Sequence, residues 1–468
     1  MTVLPESLSE IAVPAQQVRE ALTDARRVVF LDDDPTGTQT VRDLPVLTRW
    51  TLDDIAWALQ QPTPGFFILT NTRSLDRQAA AQRDRDIADA CLCAARTLGI
   101  PLAFASRSDS TLRGHFPLET DVISDVVSAH GDTVDGILLA PAYIDAGRLT
   151  INGVHVLRSG NEMIPVAESE FARDATFGYR SSRLADWVAE KSEGHIDSSA
   201  VLEIPLDAIR SESTSQLAGR LSQARNRQVV VVDAVTDDDL RAVALALLES
   251  ERNGSAFVYR IGPSFVRART GQESSVPITD SVLTDLVTPR VHGLVVVGSH
   301  VTLTTRQLDI LAQRRRITAV ELDVGTVLAA TGLERHIDDV VAEATAALGE
   351  TTVVLNTTRK LVTGADKEAS LDISRRISVA VSATVRRIVE ARRPSFVVAK
   401  GGITSSDTAT HGLGIDRAWV RGPVLNGIVS LWEPVGGPAA GLPFIVFAGN
   451  VGDDTALADV VERLENAS

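Results

Sequence analysis

Gln228-Val229-Val230-Val231-Val232, followed by the helical pattern Asp237–Glu251, is the stretch from which the fold of this chain can be read. A near-continuous aliphatic run suits a strand buried on both faces, the situation of a parallel strand covered by helices. Working outward, the same rhythm recurs: a short apolar run, a turn rich in Gly, Ser, Thr and Asp, then a longer helical stretch. Candidate strands on the amino-terminal side are Arg27–Leu31, Gly65–Leu69, Leu102–Ser106 and Gly136–Ala140, with Ala256–Arg260 following. Helical patterns cover Asp76–Leu98 and Leu118–Ala129. The series then restarts with Leu294–Val297, Thr318–Leu322, Thr352–Leu355, Phe396–Ala399 and Phe444–Phe447. Helices near Thr305–Arg314, Ile337–Leu348 and Glu368–Ala391 lie between these. Strands alternating with helices predict an α/β fold. Two such series exceed one sheet of usual size. They predict two α/β lobes, each with a largely parallel sheet flanked by helices, and an active site in the inter-lobe cleft. The boundary is placed in Arg269–Val291, which carries the polar segment Thr270–Ser275 with Pro277 and Pro289. The lobes are then residues 1–270 and 291–468.

The chain has 468 residues, of which 44% are hydrophobic and 23% charged, the balance of an ordinary globular protein. That excludes wholesale disorder, a collagen-like repeat and a disulfide scaffold. A net charge of −15 disfavours nucleic acid and anionic membranes as partners, because both need excess cations. A small anion held by a few local guanidinium and backbone N–H groups remains compatible with it. The two cysteines, Cys91 and Cys93, fall two apart in a helical run and point in different directions, so neither a disulfide nor a metal clip is expected. With no basic-then-apolar leader and no apolar run of about 18 residues, the expectation is a soluble cytoplasmic protein. Sheet edges and large lobes are compatible with a homodimer.

In open α/β sheets ligands sit beyond the carboxyl ends of strands, which directs attention to the turns there. The first is Asp32-Asp33-Asp34-Pro35-Thr36-Gly37-Thr38. Three adjacent carboxylates repel one another and are costly unless a cation or hydroxyl donors absorb the charge. Such a turn could receive a substrate proton or hold a metal ion's water shell; alone, it also reads as a solvated acidic turn. The second, Arg107-Ser108-Asp109-Ser110-Thr111-Leu112-Arg113-Gly114, gathers hydroxyls, one carboxylate and two guanidinium groups, suited to a polyol acid or to capping the next helix. Asn71-Thr72-Arg73-Ser74 is a third member. Three polar turns on successive strand ends would face one crevice. Arg148 could reach it or serve the structure, and a hairpin through Asn152-Gly153 is expected beside it. His115 and His155 lack a metal-ligand partner set and are read as structural.

The second lobe has different turns: Gly298-Ser299-His300 with Thr304 at the start of a helix, Lys400-Gly401-Gly402-Ile403-Thr404-Ser405, and Gly449-Asn450-Val451-Gly452. Glycine lets backbone N–H groups approach phosphate oxygens, and a helix N-terminus adds favourable partial charge. Three such turns suggest a nucleotide phosphate cradle, although each alone is also an ordinary strand-to-helix turn. Neither G-x-x-x-x-G-K-[ST] nor G-x-G-x-x-G occurs there, which argues against P-loop and dinucleotide-binding proteins.

Taken together, Leu31–Gly37 resembles the "DDxTG" start of the four-carbon acid sugar kinase family and Arg107–Gly114 its "KxDSTLRG" segment. Gly298–Gln307 resembles "GSxSxxTxxQ", and Gly401–Ser405 resembles "GGxTS". The order runs over nearly the whole chain. The resemblance implies phosphorylation of a small sugar acid (threonate, erythronate or 3-oxo-tetronate) with ATP and Mg²⁺, the acid on the first lobe and the nucleotide on the second. It implies substrate contacts at Asp33 or Asp34 and at Arg107, Ser108, Asp109, Ser110 and Thr111. ATP contacts are implied at Ser299, Gly401, Gly402 and Thr404 and around Gly449, with Thr304 and Ile403 alongside. The chain departs from the pattern at Arg107 (usually Lys), Val301 (often a hydroxyl residue) and Ile403 (often an acid). It also departs at Leu75, often Arg, which leaves Arg73 as a substitute. On this reading Arg113, with Arg107 or Arg73, grips the carboxylate, and Asp33, Asp34 or Asp109 takes the hydroxyl proton; no metal ligand is assigned. The competing classes are a sugar-acid and nucleotide sensor without turnover and an NAD(P)-dependent hydroxy-acid oxidoreductase.

Overall fold

The computed structural model describes residues 9–160, 162–274, 276–287, 291–329, 331–359, 362, 367–425 and 429–467. The chain divides into two compact units, Met1–Ser275 and Val276–Ser468. Its strands in the first unit are β1 (Arg27–Asp32), β2 (Leu44–Leu47), β3 (Gly65–Leu69), β4 (Leu102–Arg107), β5 (Gly136–Ala140), β6 (Arg148–Ile151), β7 (Val154–Ser159), β8 (Glu162–Pro165), β9 (Leu202–Ile204), β10 (Gln228–Val232) and β11 (Phe257–Ile261). Eight of them run side by side in the order β2-β3-β1-β4-β11-β5-β10-β9, every neighbouring pair parallel. The aliphatic run that opened the sequence reading is β10, buried from Val229 to Val232 as a doubly covered strand must be.

Local chemistry sets the helix ends. Thr236 and Asp239 form a reciprocal capping box at the start of helix Asp237–Arg252. Asp76 caps helix Arg77–Leu98, which stops at Gly99 in the left-handed conformation. That helix turns Ile87, Ala88, Cys91 and Ala95 into the core, leaving Cys93 exposed; both thiols are free. The remaining strands β6-β7-β8 form a separate antiparallel sheet with the expected tight turn at Asn152 and Gly153, both at positive φ.

The second unit holds β12 (Leu294–Val297), β13 (Ile317–Leu322), β14 (Thr352–Thr357), β15 (Val397–Lys400), β16 (Arg417–Leu425), β17 (Val429–Pro434) and β18 (Phe444–Phe447). Their order is β13-β14-β12-β15-β18-β17-β16. The first five are parallel, whereas β17 runs antiparallel to both β18 and β16. This antiparallel end is a difference from the periodicity. Gly422 and Pro423 interrupt the apolar pattern of β16, and the β16–β17 register shifts at both. Pro45 disguises β2 in the same way. Among the described residues no helix is long and apolar enough to cross a membrane.

Candidate active site

In the first unit, the parallel register sets β1, β3, β4 and β11 level, so their following turns emerge together. Asp33 N–H donates to the Arg107 carbonyl at 3.2 Å, Thr70 N–H to the Asp32 carbonyl at 2.9 Å, and Ser108 N–H to the Ile261 carbonyl at 3.0 Å. The three predicted polar turns are thereby brought to one place, and a network of aspartates and arginines joins them.

Each arginine of these turns has an aspartate. Arg73 holds Asp33 through two hydrogen bonds, Nε to Oδ2 at 3.0 Å and Nη2 to Oδ1 at 2.6 Å. Arg107 pairs with Asp32 and donates to the Asp34 carbonyl at 2.8 Å. Arg113 donates from Nε to Asp109 at 2.6 Å and lies over the Phe171 ring, 5.1 Å from its centroid. Gly37 is required here, because a Cβ would collide with Asp32 and the Arg107 guanidinium.

These contacts divide the carboxylates. Burial pushes Asp32 up to about 7; Arg107 opposes the rise, and Asp33 and Asp34 add to it. Burial acts the same way on Asp109, but Arg73, Arg113 and the Thr111 hydroxyl outweigh it and hold that carboxyl far below the carboxylate range. Asp34 is also held low: Arg73, Thr36 and Arg107 offset its burial. Its Oδ1 caps Thr36 N–H at 2.9 Å, while Oδ2 stands 3.6 Å from Arg73. The Asp34 side chain is 24% exposed against 2% for Asp33, so Asp34 is the carboxylate a ligand can reach.

The turn 107–114 is braced from outside. Leu112 and Gly114 have positive φ, of 66° and 122°. His155 contacts the Ser110 carbonyl through Nε2 at 2.8 Å and Thr150 Oγ1 through Nδ1 at 3.0 Å. A carbonyl only accepts, so Nε2 carries the proton, and burial pulls this histidine down to about 4, which keeps it neutral. Arg148 donates to Ser110 Oγ at 3.1 Å, and Tyr179 Oη to the Thr111 carbonyl at 2.7 Å. His115 donates from Nε2 toward the Thr72 and Leu75 carbonyls, fixing the third turn. Glu119, which the sequence reading left inside its helix, accepts from Thr72 Oγ1 at 2.7 Å, Ser106 Oγ at 3.0 Å and Ser108 Oγ at 3.4 Å. Only an acid on the sheet-facing side of the helix following the turn could have signalled it.

In the second unit the glycine turns converge. Thr304 Oγ1 donates to the Gly449 carbonyl at 3.0 Å and stands 3.2 Å from Ser299 Oγ, whose hydroxyl can donate to it. A Cβ on Gly449 would lie 2.7 Å from Ser299 Oγ, and one on Gly401, where φ is 128°, would lie 3.0 Å from Thr404 Oγ1. Helix Thr302–Arg314 begins two residues before Thr304, and helix Gly402–Asp407 directs its first turn to the same place. Beside them a cavity of about 170 Å³ is lined by Gly298, Val324, Ile377, Val381, Ile403 and Thr404 among others. Ser299, Thr304, Gly401, Gly402, Ile403, Thr404 and Gly449 thus form one neighbourhood. Lys400 is buried beneath it, donating to the Ala448 carbonyl at 2.8 Å and resting 3.6 Å from the Phe447 ring centroid. Burial lowers this amine to about 7.

Comparison with known proteins agrees with this division. Residues 28–269 match a family described as a sugar-binding N-terminal domain, and residues 294–457 one described as a nucleotide-binding C-terminal domain. The chain is 26% identical over 374 residues to D-threonate kinase of Salmonella typhimurium, covering 78% of this chain and 81% of that protein. It is 25% identical over 465 residues to D-erythronate kinase of Heliobacterium modesticaldum, covering 93% and 97%. Two solved structures share the fold. One, from Salmonella typhimurium LT2, has a TM-score of 0.66 at 17% identity and coverage of 92% and 98%. The other, from Haemophilus influenzae, has a TM-score of 0.60 at 16% identity and coverage of 94% and 99%. Both domains are matched, in order, on the units that carry the polar turns and the glycine turns: the chain belongs to the four-carbon acid sugar kinase family.

Proposed function

We propose that this phosphotransferase moves the γ-phosphoryl group of ATP, taken as its Mg²⁺ complex, onto a hydroxyl of a four-carbon sugar acid of the threonate, erythronate or oxo-tetronate type. The observation that carries the reading is chemical division of labour. One unit gathers hydroxyls, carboxylates and guanidiniums at its strand ends, and the other gathers three glycine turns beside an apolar slot. The relatives named as D-threonate and D-erythronate kinases support the same substrate class.

Phosphoryl transfer demands little covalent work from a protein; it demands an acceptor oxygen in line with the γ-phosphate and neutralised charge. The turn 107–114 orients the acid, with Ser108, Asp109, Ser110 and Thr111 accepting and donating to its hydroxyls. Asp34 Oδ2, the reachable carboxylate oxygen, takes the proton as the hydroxyl attacks. Arg73, Arg107 and Arg113 hold Asp33, Asp32 and Asp109 in place around it. In the other unit, backbone N–H groups at Gly402 and Gly449 meet phosphate oxygens, with Gly401, whose own N–H donates to the Phe447 carbonyl at 2.8 Å, and Ser299, Thr304 and Thr404 around them. The base of the nucleotide lies against Ile403 in the apolar slot. The deciding experiment is ADP release measured across a stereochemically complete set of tetronates. Turnover of at least one is expected. Zero release with every tetronate, in protein that binds ATP, refutes the kinase reading.

A further inference from the structure

Behind the turn 107–114 lies a cation that forms no ion pair with an aspartate among the described residues. Arg260 stands in β11, level with Ser106 of β4 and Leu139 of β5, and is 1% exposed. Its Nη2 donates to the Arg113 carbonyl at 3.0 Å, but Nε and Nη1 have no hydrogen-bond partner among the described residues. Arg73, Arg107 and Arg113 each have an aspartate, so the contrast is within one cluster. The surrounding acids are committed: Asp33 to Arg73, Asp109 to Arg113 and Thr111, and Glu119 to three hydroxyls. Burial lowers the Arg260 guanidinium below its usual range, with Glu119, Asp33 and Asp109 opposing the shift only in part. Buried N–H groups are rarely left unmade, and a guanidinium fork matches the two oxygens of a carboxylate.

Gly114 has no side chain, and an atom at its Cβ position would sit 3.4 Å from Arg260 Nη2, 3.4 Å from Asp33 Oδ2 and 4.0 Å from Ser108 Cβ. Glycine at 114 thus lets the backbone of the polar turn pack directly beside Arg260 and Asp33, which places the buried guanidinium immediately behind that turn. We propose that Arg260 is the anchor for the carboxylate of the sugar acid, so that the acid end of the substrate lies against β11 and its hydroxyl end toward Asp34. The inference rests on the four-carbon acid reading of this unit and adds which residue selects an acid over a neutral polyol.

The test compares wild type with Arg260→Lys and Arg260→Met, using the best tetronate and its carboxamide. In Arg260→Met the KM for the tetronate rises ~10–100-fold, as for loss of a charge-assisted contact, while KM for ATP stays within about threefold. Arg260→Lys lies between, because charge remains and the fork is lost. The carboxamide loses much less. An unchanged tetronate KM in a folded Arg260→Met overturns the proposal, and so does an equal loss for acid and amide. Should both variants fail to fold, a crystal structure of wild type with the tetronate decides: a carboxylate oxygen about 3 Å from an Arg260 nitrogen supports it. A carboxylate resting on Arg113 or Arg148 instead overturns it. Wild type that releases no ADP with any tetronate removes the kinase reading itself, whereas an active wild type with an indifferent Arg260 removes this inference alone.

Discussion

Asp34 and Lys400 show how far single residues determine behaviour. Asp34 offers one carboxylate oxygen to Thr36 and leaves the other reachable, so Asp34→Asn should lower kcat by ~10²–10⁴-fold with KM for ATP nearly unchanged. Steady-state kinetics checks this, and near-normal kcat would exclude Asp34 as the proton acceptor. Lys400 is depressed to about 7 by burial, from an ordinary value of 10.5. Below pH 7 folded and unfolded chains both carry this proton, and the folded state bears the full cost of a buried charge. Between pH 7 and about 10 the unfolded chain binds more protons, so stability gains from Lys400 as pH rises, by at most about 1.4 kcal/mol per pH unit. Denaturant titrations of wild type and Lys400→Met across that range should differ in slope, the variant losing this gain. At this scale legibility was uneven. The Asp32–Asp34 and Arg107–Gly114 turns announce themselves because charged and hydroxyl residues follow apolar strands. Arg260 and Glu119 do not, because each lies inside an element whose periodicity accounts for it.

Elements were legible wherever one pattern ran uninterrupted. Helix Leu118–Ala129 and strands Gly136–Ala140 and Gln228–Val232 have the bounds their periodicity predicts, since turn and burial signals coincide there. Strands β2, β16 and β17 were not, since Pro45 and the Gly422-Pro423 pair read as breakers although tertiary pairing tolerates them. The glycine turns work as a group because their side-chain-free faces touch: Gly449 faces Ser299, and Gly401 faces Thr404 and Ser299. Gly449→Val should therefore displace Ser299 and weaken ATP binding about tenfold or more, with tetronate binding unaltered. Calorimetric titration of each ligand separately tests this, and an unchanged ATP affinity would mean the Gly449 turn does not meet the phosphates.

At the scale of the whole molecule, the polar turns lie in one compact unit and the glycine turns in the other, although the chain has a net charge of −15. The guanidiniums of the polar turns are local, and Arg73, Arg107 and Arg113 are offset by aspartates, so bulk charge says little about what binds there. Amide hydrogen exchange should report the division. A tetronate should slow exchange in residues 107–114, and a non-hydrolysable ATP analogue in residues 298–304 and 401–404. Protection of 107–114 by the nucleotide alone would reverse the assignment of ligands to units. The small sheet β6-β8 stands apart from this division. It has its own apolar cluster of Leu149, Ile151 and Val156, yet Arg148 and His155 reach from it to Ser110. An inherited change in that hairpin can re-aim the neighbouring loop without disturbing anything that handles phosphate. If that loop holds the acid as proposed, the hairpin is a tuning peg for metabolite preference, and a lineage adapting to a new diet, or an engineer imitating one, has reason to turn it first.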